Sequence, residues 1–282
     1  MRETNAVRSA PARRSGRGAR RGRRLPPWQL LIPGALGFAF LTLPLIALIA
    51  QAPWADLAGT VTSAPVVQAL GLSLRTAASA TVISVVLGVP LAWLLARGDL
   101  PGAGVWRAVV TLPMVLPPVV GGVALLALLG RRGLLGGALE ALGITLPFTT
   151  AAVVLAQTFV AMPFLVLSVE GALRGMDRRD EQIAATLGAS TFYAARRITL
   201  PAAAPAIVSG AVLCFARALG EFGATITFAG NFPGTTRTMP IAIYLALEQD
   251  QDAAIAMALL LMVICAVVLI ALRSRWLGWW RR

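Results

Sequence analysis

A chain of 282 residues that is 57% hydrophobic, with a mean hydropathy of +0.77, lies outside the range of soluble domains, and its length leaves room for one membrane domain with short loops. Its charge is one-sided, 25 basic residues (all arginine) against 12 acids for a formal net charge of +13. With no histidine and no lysine, histidine general-base chemistry, His-containing zinc sites and a phosphate-binding P-loop are excluded, and Cys214 and Cys265, both in apolar runs, form no metal or disulfide framework.

The chain opens on residues 1–27, an Arg-rich stretch with Gly, Ser and Pro that has too little apolar content to fold and is expected to be a disordered tail. Apolar runs of about 20 residues, the length that crosses a bilayer, follow at 30–50, 77–96, 108–129, 149–169, 203–226 and 253–272. The fold class is therefore all-α integral membrane. The first run, preceded by arginines and followed by Ala-Gln-Ala, imitates a signal peptide. At about 21 residues it exceeds the usual 7 to 15 of such a segment, and it reads as an uncleaved helix. Pro113, Pro117 and Pro118 in the third run and Pro163 in the fourth are expected as kinks. Residues 57–70 and 130–147 carry no clear signal.

Six runs place both termini on one side. The tail's nine arginines, then Arg97, Arg107, Arg174, Arg178, Arg179, Arg196, Arg197, Arg273, Arg275, Arg281 and Arg282, fall on that side. Arg75, Arg131, Arg132 and Arg237 fall near the other, and Arg217 within a span. An excess of arginine marks the cytoplasmic face, so both termini are expected there. The tail's charge then reads as contact with lipid headgroups rather than nucleic acid.

Between the fourth and fifth runs lies "EGALRGMDRRDEQIAATLGASTFYAARRITLP". Asp177 suits the cap of a helix starting near Arg178, and Ile183, Ala184 and Leu187 share one face of it. Gly188 suits the left-handed position that ends it, and Ser190 or Thr191 suits the cap of a second short helix carrying Phe192. A helix, a glycine turn and a helix with an apolar face have three readings. They are a DNA-binding element, which membrane spans on both sides disfavour, a loop packed on its own bundle, and a docking element for a soluble partner.

The same segment resembles the signature of permease subunits of bacterial binding-protein-dependent ABC importers, whose consensus is E-A-A, three residues, G, nine residues, I-x-L-P. Gly188, Ile198, Thr199, Leu200 and Pro201 fit that spacing. Gln182, Ile183 and Ala184 stand where Glu-Ala-Ala is expected, and Glu181 falls one position early. "SLRTAASATVISVVLGVPLAWLLAR" resembles the start of the type I transmembrane domain of these importers, so the likeness covers about residues 70–272. It implies a six-helix type I domain, with residues 28–69 as a first helix and external segment and 273–282 as a cytoplasmic tail. It also implies a coupling loop, 170–201, that docks an ATP-binding subunit through residues 177–199, with contacts at Glu181, Gln182, Ile183, Ala184, Leu187, Gly188 and Phe192. ATP and Mg would belong to that homodimeric partner, the chain binding no cofactor or metal and hydrolysing nothing itself. The further partners implied are an extracytoplasmic binding protein, a second copy of the chain, and the lipids of the bacterial cytoplasmic membrane.

"FARALGEFGATITFAGNFPGTTRTMPIAIYLALEQD" resembles molybdate and tungstate importer permeases, and sulfate or thiosulfate permeases share its Ala-Leu-Gly-Glu core. Molybdate, or tungstate, is the cargo this resemblance implies, with sulfate or thiosulfate the alternative. Arg217 and Glu221, four residues apart on one run, either line the anion's route or brace the helix. The polar loop "AGNFPGTTRTMP" is expected to present Asn231, Thr235, Thr236, Arg237 and Thr238 outward, meeting the binding protein or closing the pore mouth. An ion-coupled secondary transporter would need intramembrane acids and repeated halves. Glu221 reads as the only acid deep in a run, and no repeat stands out. No cluster of facing nucleophile, base or metal ligands suggests a membrane enzyme.

Overall fold

The computed structural model describes residues 28–98 and 101–279, so the expected disordered tail and Arg281 and Arg282 lie outside the described residues. The chain divides into two compact units, Met1–Ala47 and Leu48–Arg282. The first contains most of α1 (Trp28–Ala50), an apolar helix of 23 residues with Pro33 and Pro44 inside it.

The second unit is helical throughout its described elements. Residues 57–70, silent in the sequence, form α2 (Leu57–Thr62) and the first turns of α3 (Ala64–Arg97), a 34-residue helix with Pro65 in its first turn and Pro90 inside. α4 (Ala103–Val115), α5 (Pro118–Leu129) and the short α6 (Gly136–Ala141) precede α7 (Thr150–Gly175), whose Thr149 hydroxyl accepts the Ala152 N–H at 3.2 Å. α8 (Arg179–Thr186) and α9 (Thr191–Ala194) follow, and a π-helical turn, Ala195–Thr199, runs straight into α10 (Leu200–Leu219). The chain ends in α11 (Gly223–Phe228), α12 (Met239–Leu247) and α13 (Gln251–Trp279).

Among the described residues, five helices are long and apolar enough to cross a membrane, and α4 with α5 makes a sixth if that bent pair is one span. Here the expectation of a kinked third helix is corrected, because α4 and α5 meet at 114°. Leu116, forced out of the helical region by the proline after it, is extended at ψ 138°, and neither Pro117 nor Pro118 has an N–H to continue the ladder. The fifth run is corrected too. α10 stops at Leu219, and residues 220–222 leave the helix before α11 begins. Glu221 caps the new helix by accepting the Ala224 N–H at 2.8 Å. A Cβ on Gly223 would sit 2.6 Å from Pro118 Cβ, so glycine is what lets α11 reach α5. α7 also runs six residues past its apolar stretch, which makes Glu170, on that helix, a second buried acid beside Glu221, which lies in the break between α10 and α11.

The main core is a triangle of α3, α7 and α10, in which Ala77, Ala80, Ala92, Ala161, Ala203 and Ala218 let backbones approach closely. Gly88 belongs to the same contact, since a Cβ there would stand 2.8 Å from Leu165 Cδ2. A second cluster joins α5, α7 and α11 through Leu125, Val153, Val160 and Phe228, and a third joins α3, α12 and α13 through Val66, Ala69, Met239 and Met257.

Candidate functional site

The segment between α7 and α10 folds as a helix, a turn and a helix. Asp177 Oδ1 accepts the Arg179 N–H at 3.0 Å, and Asp180 and Glu181 occupy the first turn of α8, where acids complement the helix dipole. Gly188 has φ +84°, its N–H donates to Ala185 O, and the Ala189 N–H donates to Ala184 O, both at 3.0 Å. That pair of bonds satisfies the last carbonyls of α8 and requires a left-handed residue at position 188. The Ser190 hydroxyl then accepts the Tyr193 N–H at 3.2 Å and caps α9.

The side chains of this segment sort into two sets. Ile183 is 58% exposed, Leu187 82% and Phe192 76%, with Gln182 and Gly188 exposed beside them and Ala184 half-buried. Tyr193 joins the exposed set, which the sequence reading left out although it directly follows Phe192 on the same capped turn. Burial of each large side chain would return about 1.5–3 kcal/mol. Glu181 is turned the other way, toward its own chain. Its Oε1 accepts the Thr199 hydroxyl at 2.7 Å and lies 3.4 Å from Arg97 Nε.

Four arginines tie the helix ends around this segment. Arg97 Nη2 donates to Met176 O at 3.3 Å, where α7 ends, and Arg178 Nη2 donates to Ala96 O at 3.2 Å. Arg107 Nη2 donates to Leu95 O at 2.9 Å while its Nε reaches Glu170 at 2.6 Å, and Arg174 Nε reaches the same carboxylate at 3.2 Å. The last carbonyls of α3 are thus capped by cations, the sign that the C-terminal end of a helix dipole favours.

At the break between α10 and α11, Arg217 Nη1 lies 2.7 Å from Glu221 Oε2. Glu221 is 1% exposed and also holds the Ala224 N–H, while the Arg217 side chain is 28% exposed. The pair braces the break and leaves part of a cation accessible. Nearby, Gln157 on α7 and Thr225 on α11 are fully buried, and the side-chain polar atoms of both are without a partner.

The loop at 229–238, expected to be external, departs from expectation. Thr235 is exposed and Asn231 and Arg237 are half-buried, joined by an Arg237 Nε to Asn231 Oδ1 bond of 2.7 Å. Thr236 and Thr238, expected to face outward, are fully buried. The Thr236 hydroxyl accepts the Phe232 N–H at 2.8 Å, so it fastens the turn from inside. Two further bonds anchor the loop, Thr150 Oγ1 to Thr235 O at 2.8 Å and the Met239 N–H to Ser73 Oγ at 2.7 Å.

Comparison with known proteins places the chain in a family. The family model for binding-protein-dependent transport system inner membrane components matches residues 85–274. The molybdenum transport system permease protein ModB of Mycobacterium bovis is 49% identical over 251 residues, covering 89% of this chain and 95% of that one. Its namesake in Escherichia coli K12 is 42% identical over 212 residues, covering 75% and 93%. A crystal structure of a bacterial alginate ABC transporter, in complex with its alginate-bound periplasmic protein, has the same fold at a TM-score of 0.68 and 18% identity, covering 87% of this chain and 91% of that one. Two-thirds of the sequence thus falls under one family model, and the chain belongs to the binding-protein-dependent transport system inner membrane components, a permease subunit of the ABC importer class that is not itself the ATPase.

Proposed function

We propose that the chain forms the membrane pathway of an importer that takes molybdate from an extracytoplasmic binding protein and releases it into the cytoplasm. The observation that carries the docking half of this reading is the exposed apolar face of Ile183, Leu187, Phe192 and Tyr193 on a turn fixed by Gly188. A soluble ATP-binding subunit covers that face, and ATP and Mg reside there. Two such subunits pair with two copies of this chain, and the twofold makes the permease interface self-complementary. Both termini face the cytoplasm, a reading supported by the arginine distribution.

The cargo is inferred from 49% and 42% identity to molybdenum transport permeases, together with the accessible cation of Arg217. Molybdate is a dianion, and a partly exposed arginine within the helices lowers the cost of bringing it out of water. Glu221 balances that charge and limits how tightly an anion is held. Asn231, Thr235 and Arg237 are the loop groups offered to the binding protein.

The decisive experiment is uptake of labelled molybdate into liposomes holding this chain with its ATPase and binding protein. ATP-dependent accumulation that excess sulfate does not suppress is the expected result. Accumulation of sulfate in preference would overturn the cargo, and crosslinking that yields one permease copy per two ATPase subunits would overturn the homodimer.

A further inference from the structure

Glu181 falls one position before the family's glutamate and is expected among the partner contacts, yet its side chain is only 22% exposed and faces Arg97, which is 5% exposed. One carboxylate oxygen accepts the Thr199 hydroxyl at 2.7 Å and pairs by charge with Arg97 at 3.4 Å, where the buried Nε makes no hydrogen bond. Arg97 ends α3 and reaches the carbonyl of Met176 just past α7, while Thr199 closes the π turn that leads into α10. A single side chain on α8 therefore meets the end of α3 and the start of α10 directly, and reaches the end of α7 only through Arg97.

Apart from Glu181, α8 is tied to the membrane helices at its N-cap residue, where Arg178 Nη2 donates to Ala96 O at 3.2 Å. None of its residues is buried, its only other ion pair among the described residues, Arg179 with Asp177 at 3.5 Å, lies on the surface, and exposed pairs of that kind contribute at most about 1 kcal/mol. The Glu181 contact is different in kind, because a nearly buried guanidinium left without its carboxylate is strongly unfavourable.

We infer that Glu181 is a positioning residue that locks the docking segment to α3, α7 and α10, so that displacement of α8 by a partner is passed to the membrane helices through Arg97 and Thr199. This rests on the docking reading above. Contact with the ATPase is left to the apolar face, and Glu181 transmits what that contact does.

The test uses the full complex, the chain with its ATPase and binding protein, in liposomes. With Glu181→Gln the ATPase subunit copurifies in normal amount, while the number of anions moved per ATP hydrolysed falls roughly tenfold, within the range that coupled neighbouring charges show. Thr199→Val gives a smaller loss in the same ratio. Arg97→Glu alone is severely impaired, and Arg97→Glu combined with Glu181→Arg recovers most of the lost ratio. Loss of ATPase copurification in Glu181→Gln would overturn the inference by making Glu181 a partner contact, as would an unchanged ratio. If the exchanged pair does not assemble, Glu181→Gln and Thr199→Val decide the matter. Leu187→Asp separates the two layers, because it should release the ATPase, and retention of the ATPase in that variant would remove the docking reading itself.

Discussion

Replacement of Gly188 isolates a conformational requirement from a contact. The residue sits at φ +84°, and a Cβ built there meets nothing within 4 Å, so added volume costs nothing by itself. What remains is the backbone term, about 1–2 kcal/mol for an L-residue in the left-handed region. It is higher for a β-branched side chain and lower for asparagine, which visits that region more readily. Because no residue of α8 is buried, little else compensates, and a loss of this size lowers the population of the correctly turned segment by a factor of about 5–30. Gly188→Asn should therefore stay near the parent, Gly188→Ala should fall, and Gly188→Val should fall furthest, in both ATPase copurification and stimulated hydrolysis at equal membrane insertion. Equal behaviour of the valine and asparagine variants, whether both active or both dead, refutes the conformational argument.

Three further perturbations follow from buried polar and glycine positions. Arg217→Gln leaves Glu221 buried without its cation and should cost about 3–5 kcal/mol, read as loss of assembled complex; adding Glu221→Gln should restore assembly but not molybdate flux, and near-normal flux in the assembled double variant would reduce the pair to a brace. Gln157→Leu removes an amide with no partner, and the thermal midpoint in detergent should rise by the equivalent of about 1–3 kcal/mol. A fall would mean that the amide is satisfied by a group such as an internal water. Gly122→Ala places a Cβ 2.6 Å from Thr227 Cβ and 2.9 Å from Ala224 O, and overpacking between α5 and α11 should cost about 1–3 kcal/mol in the same assay.

The fold of the segment between α7 and α10 was legible in the sequence because capping and turn chemistry act over three or four residues. Asp177, Gly188 and Ser190 each do locally what their type allows. The breaks at 116–117 and 220–222 were not legible in the same way. Apolar composition reports that a stretch avoids water, not whether its backbone stays straight, and Gly223 against Pro118 is a tertiary contact between residues over a hundred positions apart. Glu170 escaped notice for a related reason, since its partner Arg107 lies 63 residues earlier and only the fold brings them together. The inward direction of Glu181 likewise depends on Arg97 and Thr199, neither of which is visible from the signature's spacing. Thr236 and Thr238 show the opposite error, because polarity alone suggested exposure while the loop uses Thr236 as an internal fastening.

α3 carries a geometric consequence. At 1.5 Å per residue its 34 residues extend about 51 Å, against a hydrocarbon layer of about 30 Å, and even a steep tilt of about 40° leaves roughly 9 Å of rod outside that layer. Its outer portion fixes the external loop through Ser73, and its last residue, Arg97, is fixed to the docking segment. Loop and docking segment are thus bolted to one rod whose length does not vary. Thinning or thickening of the surrounding lipid changes how far its ends stand proud of the bilayer and leaves the spacing between the two attachments unchanged. Only at Pro90, where the backbone hydrogen bond to the Val86 carbonyl is missing, can the rod flex without breaking a bond.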